Sequence, residues 1–558
     1  MQKVCLNCKK TFEISKEDQN FYERVKTPPP SYCSDCRTQR RLAFRNERTL
    51  YKRPCSMCEK SMVSLYPDDT EFPVYCHDCW WSDKWNARDF ALDYNSTKSF
   101  FDQFAELMKK VPRLALNVIT STNCEYTNNA EDNKNCYLIF AAGQNEDCLY
   151  SRLMYHCKSC VDCAFIYDSE LCYECLDCRG LYNSGFCERC QSSTDLYFCF
   201  DMRDSNNCLF CTNGRHMTNS IFNRKFSKEE FMLKKKEIFS SHAKLEEAKK
   251  KFKEIKGKAL VKYAYATKCN DATGNYMFNC HEARNVFDAS NVKACAYLAD
   301  AEEPIDTYDC NNLYYKPELC YDMMGILQCY NSKHSVYVFY CNSIEYCDSS
   351  YNITNCFGCN GLKKGEYMIL NKQYSREEYE KLKANIVGSM KKEGVYGDFF
   401  TPRLSPFGYN ETLAQEYFGM DEKEAEKKKF NWQKNTTGTY DKETIKEFPE
   451  TIEEIDENIL KEVFACEECK KNFRLTKSEF DFYKRMGIPL PHKDFECRHH
   501  ERMSSRTPRK LWHRQCMCEK SGHPGHSGGK CPNEFETSYS PDRPEMVYCE
   551  ECYQREVA

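Results

Sequence analysis

The apolar residues of this chain are spaced for short strands and a few helices, not for one long apolar element. Residues 99–110 carry apolar side chains three or four positions apart, which is the spacing of a helix with one buried face. These side chains are Phe100, Phe101, Phe104 and Leu107. We therefore predict an amphipathic helix within residues 96–120 that docks the N-terminal region onto the first array, residues 121–226.

Two charged segments predict further helices, one over residues 228–258 and a shorter one over residues 376–392. A serine precedes each segment and a Glu-Glu pair follows the serine, which is the pattern of a helix N-cap. The two serines are Ser227 and Ser375. Residues 396–461 form a predicted linker whose first part is rich in aromatics, Pro and Gly. This part either binds a partner or, as is more common, packs against its own neighbours, whereas the alternation of Lys and Glu over residues 421–465 predicts a solvated helix or linker.

From about residue 120 the pattern changes to Cys, Asn, Asp, Ser and Tyr, with few helix formers. A cysteine is followed nine and twelve positions later by two more, and this unit begins again at every fifteenth position. A thinner second array carries the same unit, and both arrays end on a similar sequence that begins at Asn223 and Asn371. The unit comprises Cys148, Cys157, Cys160, then Cys163, Cys172, Cys175, then Cys178, Cys187, Cys190, then, after a slip of six positions, Cys199, Cys208, Cys211, and in the second array Cys347, Cys356, Cys359.

A short fixed period implies the stacking of similar coils, and these residue types suit short strands with turns. We predict a compact β-solenoid that is duplicated over residues 121–226 and 261–375. Its cysteines have two interpretations: they line a narrow core as small hydrophobic side chains, or neighbouring coils hold zinc or iron–sulfur clusters. The core interpretation is favoured because a ladder-like repetition is what a solenoid core requires.

The N-terminal region contains the same four-cysteine pattern twice. Two cysteines at Cys-x-x-Cys spacing suit one tetrahedral ion, so each set predicts a four-thiolate zinc site. The second pair of the first set opens a basic stretch where a helix begins, and a helix N-terminus favours thiolate, which predicts a treble clef. The first site is Cys5, Cys8, Cys33 and Cys36, and the second is Cys55, Cys58, Cys76 and Cys79.

The C-terminal region repeats this arrangement when 461 is added to each residue number. Under that shift three ligands of the first site fall on cysteines, whereas Cys33 falls on Asp494. Zinc accepts oxygen or imidazole as a fourth ligand, so Asp494 holds the position and three nearby histidines compete with it. A site that has lost its metal is the alternative. The cysteines are Cys466, Cys469 and Cys497, and the histidines are His492, His499 and His500.

The fourth site requires an insertion, because the spacing from Cys58 to Cys76 equals that from Cys531 to Cys549. The partner of Cys531 is then on the far side of a Gly- and His-rich insertion that contains Cys518, His523 and His526. We predict these histidines to be a solvated loop, and Cys518 competes with Cys516 as a ligand. The predicted ligands are Cys516, Cys531, Cys549 and Cys552.

Composition narrows the class of protein. The formal net charge is -4 and the mean hydropathy is -0.76, and no apolar run is long enough for a membrane span. The first Cys-x-x-Cys pair of the predicted zinc site begins at residue 5, so we expect no signal peptide. Forty cysteines in a long chain without an export signal indicate reduced thiols and a cytoplasmic protein, with an oxidised surface protein as the minority alternative.

Several motifs are similar to known proteins. The paired modules resemble the probable treble-clef zinc-binding domain family, and the whole layout resembles large multi-zinc cysteine-repeat proteins of small-genome (candidate phyla) bacteria. The resemblance implies zinc, a bacterial cytosol and a repeat core, but it implies no activity. The motifs that carry it are Cys5-x-x-Cys8, Phe21-Tyr22-Glu23, Cys33-x-x-Cys36-Arg37, Arg40-Arg41 and their C-terminal counterparts, with Tyr51-Lys-Arg53, Trp80-Trp81-Ser-Asp-Lys-Trp85 and Asn135-Cys136-Tyr137-Leu138.

Three functions remain open from the sequence. The first is a scaffold that binds RNA or a ribonucleoprotein, because a basic cluster follows the first zinc site and phosphate binding needs local positive charge. The cluster is Arg37, Arg40, Arg41, Arg45, Arg48, Lys52 and Arg53, echoed by Arg498, Arg502, Arg506, Arg509 and Arg514. The tryptophans Trp80, Trp81 and Trp85 could stack on bases. A solvated helix face with tryptophans in a small core explains the same residues.

The second function is a protein–protein adaptor, and the third, less favoured, is a metal- or redox-active enzyme. A catalytic zinc keeps an open coordination position, whereas three of the four predicted sites have a full set of thiolates. We expect about four zinc ions, no membrane and no small-molecule substrate, and the sequence leaves the oligomeric state open.

We therefore predict a mainly β protein with small helices, in which four small zinc modules flank a duplicated cysteine-rich β-solenoid. The predicted domains are zinc modules at 1–50 and 51–95, a docking helix at 96–120, array 1 at 121–226, a charged helix at 227–260, array 2 at 261–375, a helix at 376–395, a linker at 396–461, and zinc modules at 462–511 and 512–558.

Overall fold

The structure is a computed structural model that describes residues 1–293, 296–297, 299–301, 311–314, 321–435, 438–445, 447–522, 526 and 529–557. Strands are more common than helices among these residues, which confirms the prediction of a mainly β protein with small helices. The predicted ranges of array 2 and of the C-terminal insertion, including His523, fall partly outside the described residues.

The N-terminal region forms two antiparallel hairpins, each followed by helix. The predicted docking helix is Phe100–Lys110 (α4), and the side chain of Ser99 caps its N-terminus by accepting a hydrogen bond from the Asp102 amide. It packs on array 2 and not, as predicted, on array 1, because Phe100 contacts Phe357 and Tyr346. A 3-10 turn covers Ala87–Phe90. The elements are β1 Gln2–Val4, β2 Thr11–Glu13, α1 Lys16–Arg24, α2 Ser34–Leu42, β3 Tyr51–Pro54, β4 Ser61–Ser64, β5 Val74–Tyr75, α3 His77–Trp81, α4 Phe100–Lys110 and β6 Arg113–Leu114.

Array 1 is a stack of parallel strands in which each strand pairs with the chain twelve positions further on, as Arg152 pairs with Ala164 and Ala164 with Leu176. The last strand, β17, pairs antiparallel with β16 and ends the stack. The strands are β7 Val118–Ile119, β8 Asn128–Glu131, β9 Phe140–Gly143, β10 Arg152–Tyr155, β11 Ala164–Tyr167, β12 Glu170–Tyr173, β13 Leu176–Gly185, β14 Gln191–Tyr197, β15 Asn206–Leu209, β16 Thr218–Ile221 and β17 Arg224–Lys225.

The structural repeat of twelve positions differs from the cysteine period of fifteen positions, and a step of three positions explains the difference. Every third residue from Thr120 to Phe222 has a positive φ, so each turn of the stack has four corners. The cysteines occupy the position just after a corner, and cysteine separations of three, nine and fifteen positions are all whole numbers of steps. Asn and Asp tolerate positive φ better than most residues, which accounts for their abundance here.

The thiols of array 1 form its interior and hydrogen-bond to the peptide backbone. The Cys148 thiol, for example, lies 3.3 Å from the carbonyl oxygen of Glu146 in its own turn and 3.5 Å from that of Cys157 in the next. The cysteines from Cys136 to Cys211 are buried and none forms a disulfide. Among the described residues, no three array thiols lie close enough together to form a metal-binding group. These contacts favour the core interpretation of the array cysteines.

Array 2 repeats this construction after the helix His242–Lys256. Met324 pairs with Val336 and Val336 with Asp348, again with an offset of twelve positions. The strands of this region are β18 Leu260–Lys262, β19 Ala266–Thr267, β20 Asn270–Lys293, β21 Ala299–Ala301, β22 Asn311–Tyr314, β23 Met324–Leu327, β24 Val336–Phe339, β25 Asn342–Glu345, β26 Asp348–Tyr351, β27 Ile353–Phe357, β28 Gly365–Ile369 and β29 Lys372–Gln373. The first of them, β18, pairs with the C-terminal strand Met546–Tyr548.

The helices that follow the arrays begin at the predicted serines, and each has a complete capping box. The first segment is not one long helix, as predicted, but two helices, α5 Lys228–Ile238 and α6 His242–Lys256. The chain breaks there because Ser241 caps α6 and the buried Phe239 packs against the aromatic side chains of array 1. The second is α7 Arg376–Lys392, as predicted.

The aromatic part of the predicted linker packs against the rest of the chain, and apolar side chains of residues 396–461 contribute to two hydrophobic clusters, although most residues after 421 are exposed or half-buried. Phe399 and Phe400 pack on Phe44 of the N-terminal region, and Ile452 packs with the C-terminal region. The elements are the 3-10 turns Pro402–Leu404, Tyr409–Glu411 and Glu457–Lys461 and the helices α8 Leu413–Tyr417 and α9 Glu422–Lys427.

The C-terminal region repeats the two hairpins and helices of the N-terminus, with a longer first pair of helices. The elements are β30 Phe464–Ala465, β31 Asn472–Phe473, α10 Lys477–Met486, α11 Phe495–Ser504, β32 Trp512–Gln515, β33 Glu534–Thr537, β34 Met546–Tyr548 and α12 Glu550–Val557.

Candidate metal centres

The four cysteines of the first predicted site come together at the end of a hairpin and the start of a helix. The turn between β1 and β2 carries Cys5 and Cys8, and Cys33 is the N-cap residue of α2 with Cys36 in its first turn. All four sulfurs lie within 4.8 Å of one another, and Cys8 and Cys33 are 3.7 Å apart. Two sulfurs bound to one tetrahedral zinc ion at about 2.3 Å would be roughly 3.8 Å apart, so this geometry fits zinc.

The second predicted site has the same construction. The turn between β3 and β4 carries Cys55 and Cys58, and Cys76 is the N-cap residue of α3. These three sulfurs and that of Cys79 form a second group within 4.8 Å, and Cys58 and Cys76 are 3.9 Å apart. This separation also fits a tetrahedral ion.

The third group contains Asp494, not one of the competing histidines. Asp494 caps α11 through one carboxylate oxygen, which accepts a hydrogen bond from the Cys497 amide at 2.9 Å. Its other oxygen lies 2.9 Å from the Cys469 sulfur. One side chain therefore serves both the helix cap and the candidate site, which explains why aspartate can stand where the first site has Cys33. The group is Cys466, Cys469, Asp494 and Cys497.

The three histidines have other contacts. His492 lies 2.8 Å from Glu467 and stacks on His242. His499 lies 3.4 Å from Glu416, and His500 is exposed. Among the described residues, no histidine belongs to this third group.

The fourth group contains Cys516 and not Cys518, so the structure distinguishes between the two candidate ligands for this position. The Cys516 sulfur accepts a hydrogen bond from the Cys549 amide at 3.2 Å, and the sulfurs of Cys531 and Cys549 are 4.0 Å apart. Cys518 belongs instead to a further group with His526 and Cys552. The sequence contained an indication of this further group, because Cys518 lies two residues after Cys516 and side chains two residues apart in an extended segment point to the same side. His526, however, was interpreted as part of a solvated loop. The fourth group is Cys516, Cys531, Cys549 and Cys552.

The thiols of these groups influence one another's ionisation. Burial, together with the neighbouring Cys58 and Cys76, raises the pKa of Cys79 to about 12. Burial also opposes ionisation of Cys55, but the amides of Cys76, Cys58 and Met57 outweigh it and lower the pKa of Cys55 to about 6. A divalent cation would let all four sulfurs ionise together. Metal binding at these groups therefore releases protons and weakens as the pH falls.

The arginines of the predicted nucleic-acid cluster lie largely inside the protein, whereas Lys52 is exposed. Five of its six arginines are buried, and Arg48 is half-buried. A buried guanidinium that is bound within the protein does not reach a phosphate, so this cluster is not a free nucleic-acid surface. Arg37 donates to the Tyr32 carbonyl, Arg40 to those of Phe399 and Phe400, and Arg53 to that of Pro67, while Arg41 pairs with Asp322, Arg45 with Glu47 and Arg48 with Glu496.

The tryptophans are also largely internal. Trp80 is fully buried, and its indole N–H lies 3.3 Å from the Pro112 carbonyl oxygen. Trp85 donates to the Trp80 carbonyl oxygen at 2.8 Å, and only Trp81 of the three is exposed. The small-core interpretation of these residues therefore agrees with the structure for Trp80 and Trp85.

One arginine of this cluster and several of its C-terminal counterparts join the metal-binding regions to the arrays. Arg41 and its counterpart Arg502 both pair with aspartates at array corners, Arg41 with Asp322 and Arg502 with Asp162. The N-terminal region thus contacts array 2, and the C-terminal region contacts array 1. Arg506 pairs with Asp177 of array 1 and Asp288 of array 2. Further contacts of this kind join Arg113 to Asp348, Arg498 to Asp162 and Arg509 to Asp288.

The fold and the sites define a cysteine-rich protein of mainly β structure, and its described residues include five groups that could hold a metal ion. Comparison with protein-family models finds no match for this chain, and comparison with curated proteins finds none either. The resemblance to a treble-clef family therefore stays a prediction. No helix in the described part of the chain is long and apolar enough to cross a membrane.

Proposed function

We propose that this protein is a zinc-binding structural and interaction scaffold whose partner is another protein. The observation that carries the proposal is the link between the candidate metal groups and the arrays. The helix that begins at Cys33 also carries Arg41, and the helix capped by Asp494 carries Arg502. Because both arginines pair with buried aspartates of the arrays, an ion that orders these helices also orders the docking of the arrays.

Zinc is the metal that we propose for the four main groups, at about four ions per chain. Three groups consist of thiolates alone, which are soft ligands, and zinc binds such sets in tetrahedral geometry. We interpret the first and third modules as treble clefs, because each combines a knuckle in a hairpin with ligands at a helix N-terminus. We interpret the regular parallel register of the arrays as a β-solenoid.

A structural role is favoured over an enzyme because four protein ligands close a tetrahedral site. A protein partner is favoured over RNA because the predicted arginine cluster is occupied by internal contacts. The described cysteines carry no disulfides, which supports a reducing compartment such as the cytoplasm.

Metal removal tests the structural part of the proposal. We expect the purified full chain to contain at least four zinc ions, one for each main group, and to lose thermal stability on treatment with a chelator, because both docking helices lose their ligands. Re-addition of zinc restores the stability. A chain that purifies without metal, or whose melting temperature is unchanged by the chelator, would contradict the proposal.

Partner capture tests the interaction part. The full chain is used as bait in an extract with and without nuclease treatment, and we expect the captured proteins to survive the nuclease. Titration against RNA at two salt concentrations is the companion measurement, and we expect no salt-sensitive binding. Capture that depends on nucleic acid, or RNA binding that weakens steeply with salt, would indicate that the partner is RNA and not a protein.

A further inference from the structure

The C-terminal module contains more metal ligands than one tetrahedral ion can use. Its fourth group already provides four thiols, and two more candidate ligands, Cys518 and His526, lie beside Cys552. We propose that this module holds a second metal ion, bound by Cys518, His526 and Cys552, and that the Cys552 thiolate bridges this ion and the ion of the four-thiolate group.

The geometry of the second group fits a metal ion. The ligand atoms of Cys518, His526 and Cys552 all lie within 4.8 Å of one another, and the Cys552 sulfur is 3.5 Å from Nε2 of His526. A sulfur at about 2.3 Å and a nitrogen at about 2.0–2.1 Å from one tetrahedral zinc ion would be roughly 3.5 Å apart. Both cysteines are almost fully buried, and His526 is 8% exposed.

The backbone explains why Cys518 reaches this position. Cys516 and Cys518 follow β32 in an extended segment, and side chains two residues apart in an extended chain point to the same side. The Cys516 amide donates to the Asn533 carbonyl oxygen, and the Cys518 carbonyl oxygen accepts from the Cys531 amide, both at 2.8 Å. These two hydrogen bonds hold both cysteines next to Cys531. Cys516 joins the four-thiolate group, and Cys518 joins the group with His526 and Cys552.

The equivalent N-terminal module provides an internal comparison. Its four cysteines have the same arrangement around a hairpin and a helix, but only two residues separate Cys55 from Cys58, where the C-terminal module has the His-containing insertion between Cys516 and Cys531. Within the described residues of that module, the four thiols form a single group. The insertion is therefore the feature that adds the second site.

The ligand set defines the class of ion. Two thiolates and one imidazole suit zinc and leave one position of a tetrahedral ion for water or an external ligand. When the ion binds, the Cys518 thiol releases its proton to solvent, and the Cys552 sulfur donates a second electron pair while it keeps its bond to the first ion. No oxidation takes place.

Zinc content measured on the full chain and on matched variants tests this site. The two informative variants are Cys518→Ser and His526→Gln. The controls are Cys124→Ser, which removes a half-exposed thiol at the edge of array 1, and His513→Gln, which removes an exposed imidazole in the same module. We expect each informative variant to bind one zinc ion fewer than the wild type, and each control to bind as many as the wild type.

Cadmium substitution gives a second measurement. We expect cadmium NMR of the wild type to show two ions coupled through a shared sulfur, and we expect His526→Gln to remove one of the two signals and the coupling. Equal metal content in wild type and both informative variants, or two cadmium signals without coupling, would overturn the proposal. The test rests on a difference between variants, so it is independent of whether the protein is a scaffold.

Discussion

Asp162 shows how single residues connect the metal-binding regions to the arrays. It lies at a corner of array 1, is fully buried, and pairs with Arg498 at 2.9 Å and Arg502 at 3.0 Å. A buried ion pair adds little stability over apolar packing, but the loss of one partner leaves a buried charge that is expensive. The pairing therefore specifies where the module docks.

Substitution Asp162→Ala should destabilise the protein by about 3 kcal/mol, since both arginines lose their shared carboxylate while Glu174 and Glu479 remain nearby. The control is Asp68→Ala, because Asp68 pairs with Arg53 but is 68% exposed, and its loss should cost less than about 1 kcal/mol. Urea unfolding of the zinc-loaded chains measures both. Equal costs for the two variants would contradict the docking role of Asp162.

Glu47 predicts how the stability depends on pH. Burial opposes its ionisation, but the guanidinium groups of Arg152 and Arg45 outweigh burial and lower the pKa of Glu47 to about 2. Because this pKa is below its ordinary value near 4.5, the stabilisation is complete above that value and is lost as the pH falls toward 2.

We therefore expect Glu47→Gln to be less stable than the wild type by up to about 3 kcal/mol at neutral pH. The difference should shrink toward zero between about pH 5 and pH 2. Loss of zinc at low pH affects both chains, so the informative quantity is their difference in unfolding free energy. Glu106→Gln, at an exposed ion pair with Lys98, is the control and should change little. A difference that stays constant down to pH 2 would contradict the prediction.

At the scale of the element, the three-residue step determines the environment of the array cysteines. Each thiol follows a corner, points into the stack and donates hydrogen bonds to carbonyl oxygens of its own and the next turn, as Cys163 does with Val161 and Cys172. A wider side chain would separate the turns, and a side chain without a donor would leave these carbonyl oxygens without the thiol contact.

This environment predicts which thiols react. Cys124 and Cys269 lie at the first turns of the two arrays and are half-exposed, whereas the thiols from Cys136 to Cys211 are buried. Alkylation of the native, zinc-loaded protein should modify Cys124 and Cys269 first, and the buried thiols only after unfolding, because the reagent cannot enter a closely packed stack. Mass spectrometry of peptides over time measures the order. Buried array thiols that react as fast as Cys124 would show that the stack opens or that these thiols lie elsewhere.

At the scale of the whole molecule, each terminal region packs on the array that belongs to the other half of the sequence. The N-terminal region packs on array 2, where Trp81 contacts Tyr351, and the C-terminal region packs on array 1, where Tyr173 contacts Tyr483. Each half in sequence therefore lacks an array aspartate on which its own metal-binding region docks, Asp322 for Arg41 and Asp162 for Arg502, although the pairs Glu47–Arg152 and Arg506–Asp288 lie within one half. This arrangement couples the stability of the two halves.

Separation of the halves tests this coupling. A break after Gly257 gives fragments 1–257 and 258–558, and we expect neither fragment to unfold cooperatively alone, because the buried arginines Arg41 and Arg502 lose their aspartate partners. The two fragments expressed together should form a complex that unfolds like the intact chain. A zinc-loaded fragment that folds cooperatively by itself would contradict the crossed arrangement.

Much of the architecture followed from local patterns. The Cys-x-x-Cys pairs, the constant shift in numbering between the two ends and the serine caps of α5 and α7 depend on short-range geometry, so the sequence alone located them. The mainly β character of the arrays also followed from their composition. The break between α5 and α6 was missed, because the charge pattern of the two helices is continuous and only Phe239 and Ser241 mark the end of one and the start of the next.

The tertiary structure decided the features that depend on distant residues. The sequence pattern identified a basic cluster, but only the packing showed that its arginines face aspartates far away in the chain, as Arg41 faces Asp322. Likewise, the cysteine period of fifteen positions concealed a turn of twelve positions, because both are multiples of the same three-residue step and only the hydrogen-bond register distinguishes them. The sequence thus determined which residues can bind metal or cap a helix, whereas their partners depended on which parts of the chain folding brings together.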